Sequence, residues 1–439
     1  MLTKRQKLIR VILSGGIGSM LEWFDFAVYG YLASVMARVF FPSEDPVAGL
    51  LSTFAVFTVG YLMRPVGAVL LGNIGDRKGR RAMLLWSIML MGAASTLIGL
   101  LPSHAQVGNL APLGLVLLRM IQGISVGGEY TGAMTYTAES SPPEHRGFFS
   151  SLASVGALMG LLLGSAVSWL LQSQLSDADL ISWGWRLPFL AGFFIAVAGV
   201  LIREHLPETE SFEENAIKSQ PTPALVAFTL HWRTLVQCGI IVAGANIVFY
   251  TAFVYFPEYA ATLPGVQAGL SEGFNALVLL LQILIIPIGG WLSDRFGRRR
   301  ISLLFTWILL CAIYPTFQLG TSGRLDDLII AQVILCFPIG ILFGIQGAML
   351  VEITPAIPRC SIFSISYGLT MAIFAGTAPL LATWMIQKQD WRHGPSIYAA
   401  IFTVASLVAL YRLGETNTPT SIITTQDHPC IDQRHPPLR

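Results

Sequence analysis

Charge is scarce in this sequence. Asp, Glu, Lys and Arg supply 12% of its 439 residues, about half the share found in an ordinary soluble domain. With 54% hydrophobic residues and a mean hydropathy of +0.64, the main solvent of such a chain is lipid. Cysteine is sparse too. Cys238, Cys311, Cys336, Cys360 and Cys430 are scattered and show neither metal-site nor disulfide spacing, so no metal site is expected. Histidine is missing from every apolar run: His104, His145, His205, His231, His393, His428 and His435 all fall in loops or the tail. Any proton carried across the membrane must therefore be carried by carboxylates. There is no H-E-x-x-H, no nucleophile elbow and no phosphate-cradling G-x-x-x-x-G-K-[S/T]. These absences speak against an enzyme and against ATP-driven transport. No resident cofactor is expected beyond the proton as coupling ion.

What the chain does have is long apolar runs. A helix needs about 20 apolar residues to cross the hydrocarbon core. Twelve runs qualify: 11–37, 47–71, 83–101, 110–138, 147–172 and 183–202, then 234–256, 270–292, 301–319, 328–351, 362–387 and 395–413. They are too long and too unpatterned for the strands of a membrane barrel. The fold class is thus an all-α membrane protein of twelve transmembrane helices. The polar stretch 204–233 reads as a cytoplasmic linker, partly helical near Glu208–Lys218. It joins a six-helix bundle at 1–203 to another at 234–414. Residues 415–439, rich in Thr, Pro and His, read as a disordered cytoplasmic tail.

The few charges are placed asymmetrically. With the N-terminus inside, 20 of the 27 Lys and Arg residues fall on the cytoplasmic side, including Lys4, Arg5, Lys7, Arg10 and Arg359. Arg38, Arg186, Arg324, Lys388 and Arg392 fall outside, and Arg64 and Arg119 lie within helices. That bias places both termini in the cytoplasm; no nucleic-acid partner is expected. The basic start is not a cleavable signal, since its apolar run is long enough to span and no small-residue cleavage site follows.

One basic hinge occurs twice. Gly72-Asn73-Ile74-Gly75-Asp76-Arg77-Lys78-Gly79-Arg80-Arg81 and Gly290-Trp291-Leu292-Ser293-Asp294-Arg295-Phe296-Gly297-Arg298-Arg299 are 218 residues apart (290 − 72). The repeat predicts two halves built alike. Gly72 and Gly75 permit close helix approach. The cluster Arg77, Lys78, Arg80 and Arg81 attracts anionic headgroups. Asp76 is expected to cap the start of the next helix.

Ionisable residues at membrane depth are functional candidates by default. There are five, Glu22, Asp25, Arg64, Arg119 and Glu129, all in the first half. At ~1.5 Å per residue, Asp25 lies about 21 Å from the inner end of its helix and Arg119 about 16 Å. Glu22, Arg64 and Glu129 come to about 16, 12 and 15 Å. The expected arrangement is an outer pair, Asp25–Arg119, and an inner triad, Glu22–Arg64–Glu129.

Both hinges fit G-x-x-x-D-R-x-G-R-R, which resembles the loop signature of the major facilitator superfamily. Four further segments narrow the resemblance: Glu22-Trp23-Phe24-Asp25-Phe26, Arg64-Pro65-Val66-Gly67, the run from Arg119 to Tyr130 ending in Gly128-Glu129-Tyr130, and Trp183-Gly184-Trp185-Arg186-Leu187-Pro188-Phe189. Together they resemble bacterial metabolite:proton symporters, a branch with proline/glycine-betaine, α-ketoglutarate, shikimate and citrate carriers. The continuation Thr131-Gly132-Ala133 is nearest the proline/betaine carriers. The tail lacks the heptads of the C-terminal coiled coil that some of them carry.

The resemblance implies a monomer in the bacterial inner membrane that takes up a small polar metabolite with protons by alternating access. It implies proton coupling at Asp25 and Arg119; Glu22 and Glu129 are the other carboxylate candidates. Substrate contacts are expected from Glu22, Arg64, Glu129 and Tyr130 in the first half and Asn246, Tyr250, Gln346 and Tyr367 in the second. Gating is expected from Gly72, Asp76, Arg77, Gly79 and Arg80, and from Asp294, Arg295, Gly297 and Arg298. A zwitterion suits a site with carboxylates, Arg and the rings of Trp23, Tyr130 and Tyr250. An organic acid would instead use Arg64 or Arg119 directly. A non-transporting nutrient sensor on the same fold is a third reading, opposed by the absence of a signalling domain.

Overall fold

In the computed structural model the described residues are 4–43, 46–215, 223–261 and 270–416. The expectations for Lys4, Arg5, Lys7, Arg10, Lys218, Lys388 and the tail beyond Thr416 rest on residues or side chains outside that description. Every regular element among the described residues is helical. The first half contains α1 (Lys4–Tyr31), α2 (Leu51–Arg77), α3 (Arg80–Leu100), α4 (Leu110–Glu139), α5 (Arg146–Gln174) and α6 (Arg186–Glu204). The second contains α7 (Trp232–Tyr255), α8 (Leu270–Phe296), α9 (Arg298–Gly320), α10 (Leu325–Ile353), α11 (Arg359–Ile386) and α12 (Gly394–Tyr411). Eleven are long and apolar enough to cross a membrane. The twelfth, α1, has 28 residues and a length of about 42 Å.

The hinges show why each half turns where it does. Only Lys78 and Gly79 separate α2 from α3, and only Gly297 separates α8 from α9. Gly79 has φ 100° and Gly297 φ 99°. A residue without Cβ adopts that left-handed backbone freely, so the chain reverses within a residue or two.

Packing repeats between the halves. In the first, α1 lies on α6, α2 on α4, and α3 on both α4 and α6. In the second, α7 lies on α12, α8 on α10, and α9 on both α10 and α12. The interface exchanges equivalent helices, since α2 packs on α11 as α8 packs on α5. Those reciprocal contacts are what two related bundles facing each other produce. In the linker, Glu210–Asn215 and Pro223–Thr229 form short helices. Wider, π-type turns occur at Thr251–Tyr255 in α7 and Met371–Ala375 in α11.

Candidate functional site

Between the halves lies a small cavity. Its walls include Trp23 of α1, Tyr130 of α4, Ser154 of α5, Asn246, Phe249 and Tyr250 of α7, Phe343 of α10 and Tyr367 of α11. Four of the expected substrate contacts therefore meet: Tyr130, Asn246, Tyr250 and Tyr367. Gln346 stands behind them and donates from Nε2 to Tyr130 Oη (3.0 Å). Tyr130 Oη also pairs with Ser154 Oγ (2.8 Å). Tyr367 Oη donates weakly to Asn246 Oδ1 (3.5 Å), and the rings of Tyr130 and Tyr367 are 5.3 Å apart. Trp23 Nε1 and Tyr250 Oη are buried without a hydrogen-bond partner.

Arg64 stands behind this aromatic wall. Its guanidinium is 4.1 Å from the Tyr61 ring centroid, 4.7 Å from Phe26 and 5.8 Å from Trp23. Nε and Nη2 have no hydrogen-bond partner, and neither has Glu22 Oε2. Among the described residues Arg64 forms no ion pair within 4 Å, although its charge and that of Glu129 both act on Glu22.

The inner triad does not form as expected. Glu129 pairs with Arg203 of α6, at 2.5 Å from Nη2 and 3.0 Å from Nη1. Arg203 also donates to Leu84 O (2.8 Å) and is fully buried; it was not singled out from the sequence. Gly18 makes room for the pair, because a Cβ there would lie 1.8 Å from Glu129 Oε1 and 2.2 Å from Arg203 Nη2.

The outer pair is joined through a third residue. Arg119 Nη1 donates to Gln122 Oε1 (2.7 Å), and Gln122 Nε2 donates to Asp25 Oδ2 (2.5 Å). Ser95 Oγ donates to Asp25 Oδ1 (2.8 Å). Arg119 and Asp25 form no direct ion pair among the described residues. The guanidinium of Arg119 instead lies 3.7 Å from the Tyr29 ring centroid. Gln122 is three residues after Arg119 on one helix, so the two share a face; that spacing was the available signal.

The cytoplasmic ends are bridged. Asp76 does not cap its own next helix. It caps α11 in the other half, accepting from Cys360 N (2.9 Å) and Ser361 N (2.8 Å). Asp294 likewise caps α5, accepting from Gly147 N (2.8 Å) and Phe148 N (2.9 Å). A carboxylate on a helix N-terminus meets orphan N–H groups and the positive end of the dipole. Arg80 Nε donates to Glu139 (3.0 Å), which also accepts from Arg359 Nη1 (2.6 Å) across the halves. Arg298 Nη2 donates to Glu352 (3.0 Å) in the equivalent place. Gly72 sets the approach of α2 to α11, since a Cβ there would lie 2.9 Å from Ser361 Cα. Arg77 and Arg295 are exposed and stand outside these bridges.

A second repeat joins these bridges. Leu206-Pro207-Glu208-Thr209 follows α6 and Leu413-Gly414-Glu415-Thr416 follows α12. Glu208 accepts from Arg80 N (2.9 Å) and Glu415 from Arg299 N (3.0 Å). Thr209 donates to Glu139 (2.6 Å) and Thr416 to Glu352 (2.7 Å). Burial pushes the Glu208 carboxyl above its ordinary value, opposed by the N–H groups of Thr209, Arg81 and Arg80. Glu415 and Thr416 thus hold a hinge, although the sequence suggested they open a disordered tail. The two motifs are 207 residues apart (413 − 206), a different offset from the hinges, which hides the repeat.

These bridges lead to a measurable expectation. Asp76→Asn removes one charge-assisted cap, worth about 1.5–3 kcal/mol, and should open the cytoplasmic side. Cys360, buried beside Gly75, reports the change. Its modification by an impermeant thiol reagent in inside-out vesicles should rise about tenfold or more.

Two like bundles facing each other across a cavity, joined by charged groups at one end, have the architecture of a secondary transporter. Two family profiles match: "Sugar (and other) transporter" over residues 11–219 and "Major Facilitator Superfamily" over residues 273–429. The chain is 32% identical to the proline/betaine transporter of Salmonella typhimurium, over 93% of this chain and 84% of that one. It is 32% identical to the ectoine/proline transporter ProP of Corynebacterium glutamicum, over 98% and 92%. Among solved structures, the proton:xylose symporter XylE bound to 6-bromo-6-deoxy-D-glucose shares the fold at TM-score 0.78 and 15% identity, over 93% and 95% of the two chains. The chain belongs to the major facilitator superfamily and, within it, to the symporter family of the proline/betaine transporters. It is a multi-pass membrane transporter of a small molecule, not an enzyme.

Proposed function

We propose that this chain imports a zwitterionic osmolyte, such as proline or a betaine, together with a proton. It does so as a monomer in the bacterial inner membrane, with no resident cofactor. One observation carries the substrate class: the cavity wall is aromatic, with Arg64 held behind it rather than lining it. A quaternary or secondary ammonium gains cation–π attraction from Trp23, Tyr130, Tyr250 and Tyr367. Its carboxylate takes the free donors Trp23 Nε1 and Tyr250 Oη, with Arg64 adding long-range attraction. Relatives named as transporters of proline, betaine and ectoine support the same class. An organic acid would need the guanidinium in direct bidentate contact.

Asp25 is the proposed proton site, held by Ser95 and Gln122 and joined through the latter to Arg119. Glu22 and Glu129 serve the inner side, where Glu129 is paired with Arg203. Asp76 and Asp294 lock the cytoplasmic gate, while Arg77, Lys78 and Arg295 rest on anionic headgroups. The test is uptake by reconstituted protein from labelled proline, glycine betaine, α-ketoglutarate, shikimate and citrate, with the outside acidic. Accumulation of the first two supports the reading. Accumulation of the acids alone would replace it with organic acid import.

A further inference from the structure

The hydrogen bonds around Asp25 are not interchangeable. Arg119 has only donors to offer, so the Gln122 atom 2.7 Å from its Nη1 is the carbonyl oxygen Oε1. The amide is thereby fixed, and Nε2 must face Asp25 Oδ2 at 2.5 Å. A proton on Oδ2 would point at an N–H group that cannot accept it. Oδ1 is different. Its neighbour is Ser95 Oγ at 2.8 Å, and a hydroxyl both donates and accepts. Ser95 Oγ also lies 3.2 Å from the carbonyl oxygen of Phe189, on α6. Gly192, one turn further along α6, leaves space for that hydroxyl, because a Cβ there would lie 2.7 Å from it.

We infer that Ser95 is a two-position hydroxyl that directs the transported proton onto Oδ1 of Asp25. With Asp25 charged, Ser95 donates to Oδ1. When a proton from the outer solution adds to Oδ1, no other covalent bond changes. The Ser95 O–H turns to Phe189 O, and its oxygen accepts the new Asp25 O–H. Both protonation states then keep every hydrogen bond, so the buried carboxyl can cycle without leaving a polar atom unpaired. The other charged or titratable groups around Asp25 are Arg119 from α4 and Tyr29 and Glu22 from α1. Tyr29 Oη is committed to Thr53 O (3.0 Å). From α3 and α6 the partners are Ser95 and a backbone carbonyl. Ser95 is a positioning residue, and its role rests on Asp25 being the proton site.

The experiment compares wild type with Ser95→Ala and Asp25→Asn, each reconstituted and checked for substrate exchange without a pH gradient. Ser95→Ala should keep exchange, and the pH of half-maximal proton-driven uptake should move alkaline by about half a unit, because the carboxylate loses a charge-assisted donor while the protonated carboxyl loses only a weaker neutral bond. Infrared difference spectra between acid and alkaline pH give a second readout. The protonated carboxyl band that Asp25→Asn abolishes should move to higher wavenumber in Ser95→Ala, its O–H having lost an acceptor. If Ser95→Ala does not fold, Ser95→Cys, which keeps the size with a weaker donor and acceptor, takes its place under the same criteria. An unmoved uptake midpoint and an unmoved band overturn the inference on Ser95 alone. Proton-driven uptake surviving in Asp25→Asn overturns the proton-site reading instead.

Discussion

Asp25→Asn should abolish accumulation against a gradient while leaving exchange of labelled for unlabelled substrate largely intact. The residue is fully buried, and its two oxygens are held by Ser95 and Gln122. Asparagine fills the same volume and keeps partners on both sides, so the bundle should fold. What is lost is the ability to gain and lose a proton. With no histidine in any of the apolar runs, the other deep carboxylates are Glu22 and Glu129, and among the described residues neither is linked to Arg119 as Asp25 is through Gln122. Uptake in vesicles with an acidic exterior should fall to simple equilibration, and undiminished uphill uptake would refute the assignment.

Arg64→Ala should have the second-largest effect, on binding rather than drive. The guanidinium is buried against Tyr61, Phe26 and Trp23. Removing it takes away the cation that acts on Glu22 and the positive potential behind the cavity. It also removes packing from the ring of Trp23, which lines the site. The loss of one charged interaction in a dry environment predicts about 10- to 100-fold weaker substrate binding. The pH dependence of binding should change with it, because the cation that acts on Glu22 is removed. Titration calorimetry on the purified variant checks both. Wild-type affinity with an unshifted pH profile would show that Arg64 is structural.

The repeated architecture was legible because helices, hinges and charge bias each leave a local pattern. The deep charges were legible for the same reason, since an ionisable residue inside an apolar run stands out. Their pairings were not. Which helices lie side by side is a long-range property, so Glu129 was matched to Arg64 by depth when Arg203 of α6 reaches it. Depth ordered the residues along the membrane normal but said nothing of their angle around each helix axis. Asp76 was read locally, as a cap for the next helix, whereas the fold brings it to α11. Ser95 was invisible because a serine in an apolar helix usually bonds its own backbone. The hinge offset does carry one further signal. Gln282 lies 218 residues after Arg64 (282 − 64) and is buried with both polar ends of its amide unpartnered. It marks the place where the second half keeps polarity and gives up charge. That difference suits a half that must move without taking charge through lipid.

Proton movement linked to substrate tests the central claim most directly. Purified protein in weakly buffered proteoliposomes, with no pH gradient and the membrane potential clamped, is given glycine betaine or proline from outside. External pH is followed with an impermeant dye. The wild-type protein should alkalinise the exterior as substrate enters, and Asp25→Asn should give no change while still exchanging substrate. Substrate entering the wild-type vesicles without alkalinisation, or full alkalinisation in Asp25→Asn, would contradict proton-coupled import through Asp25.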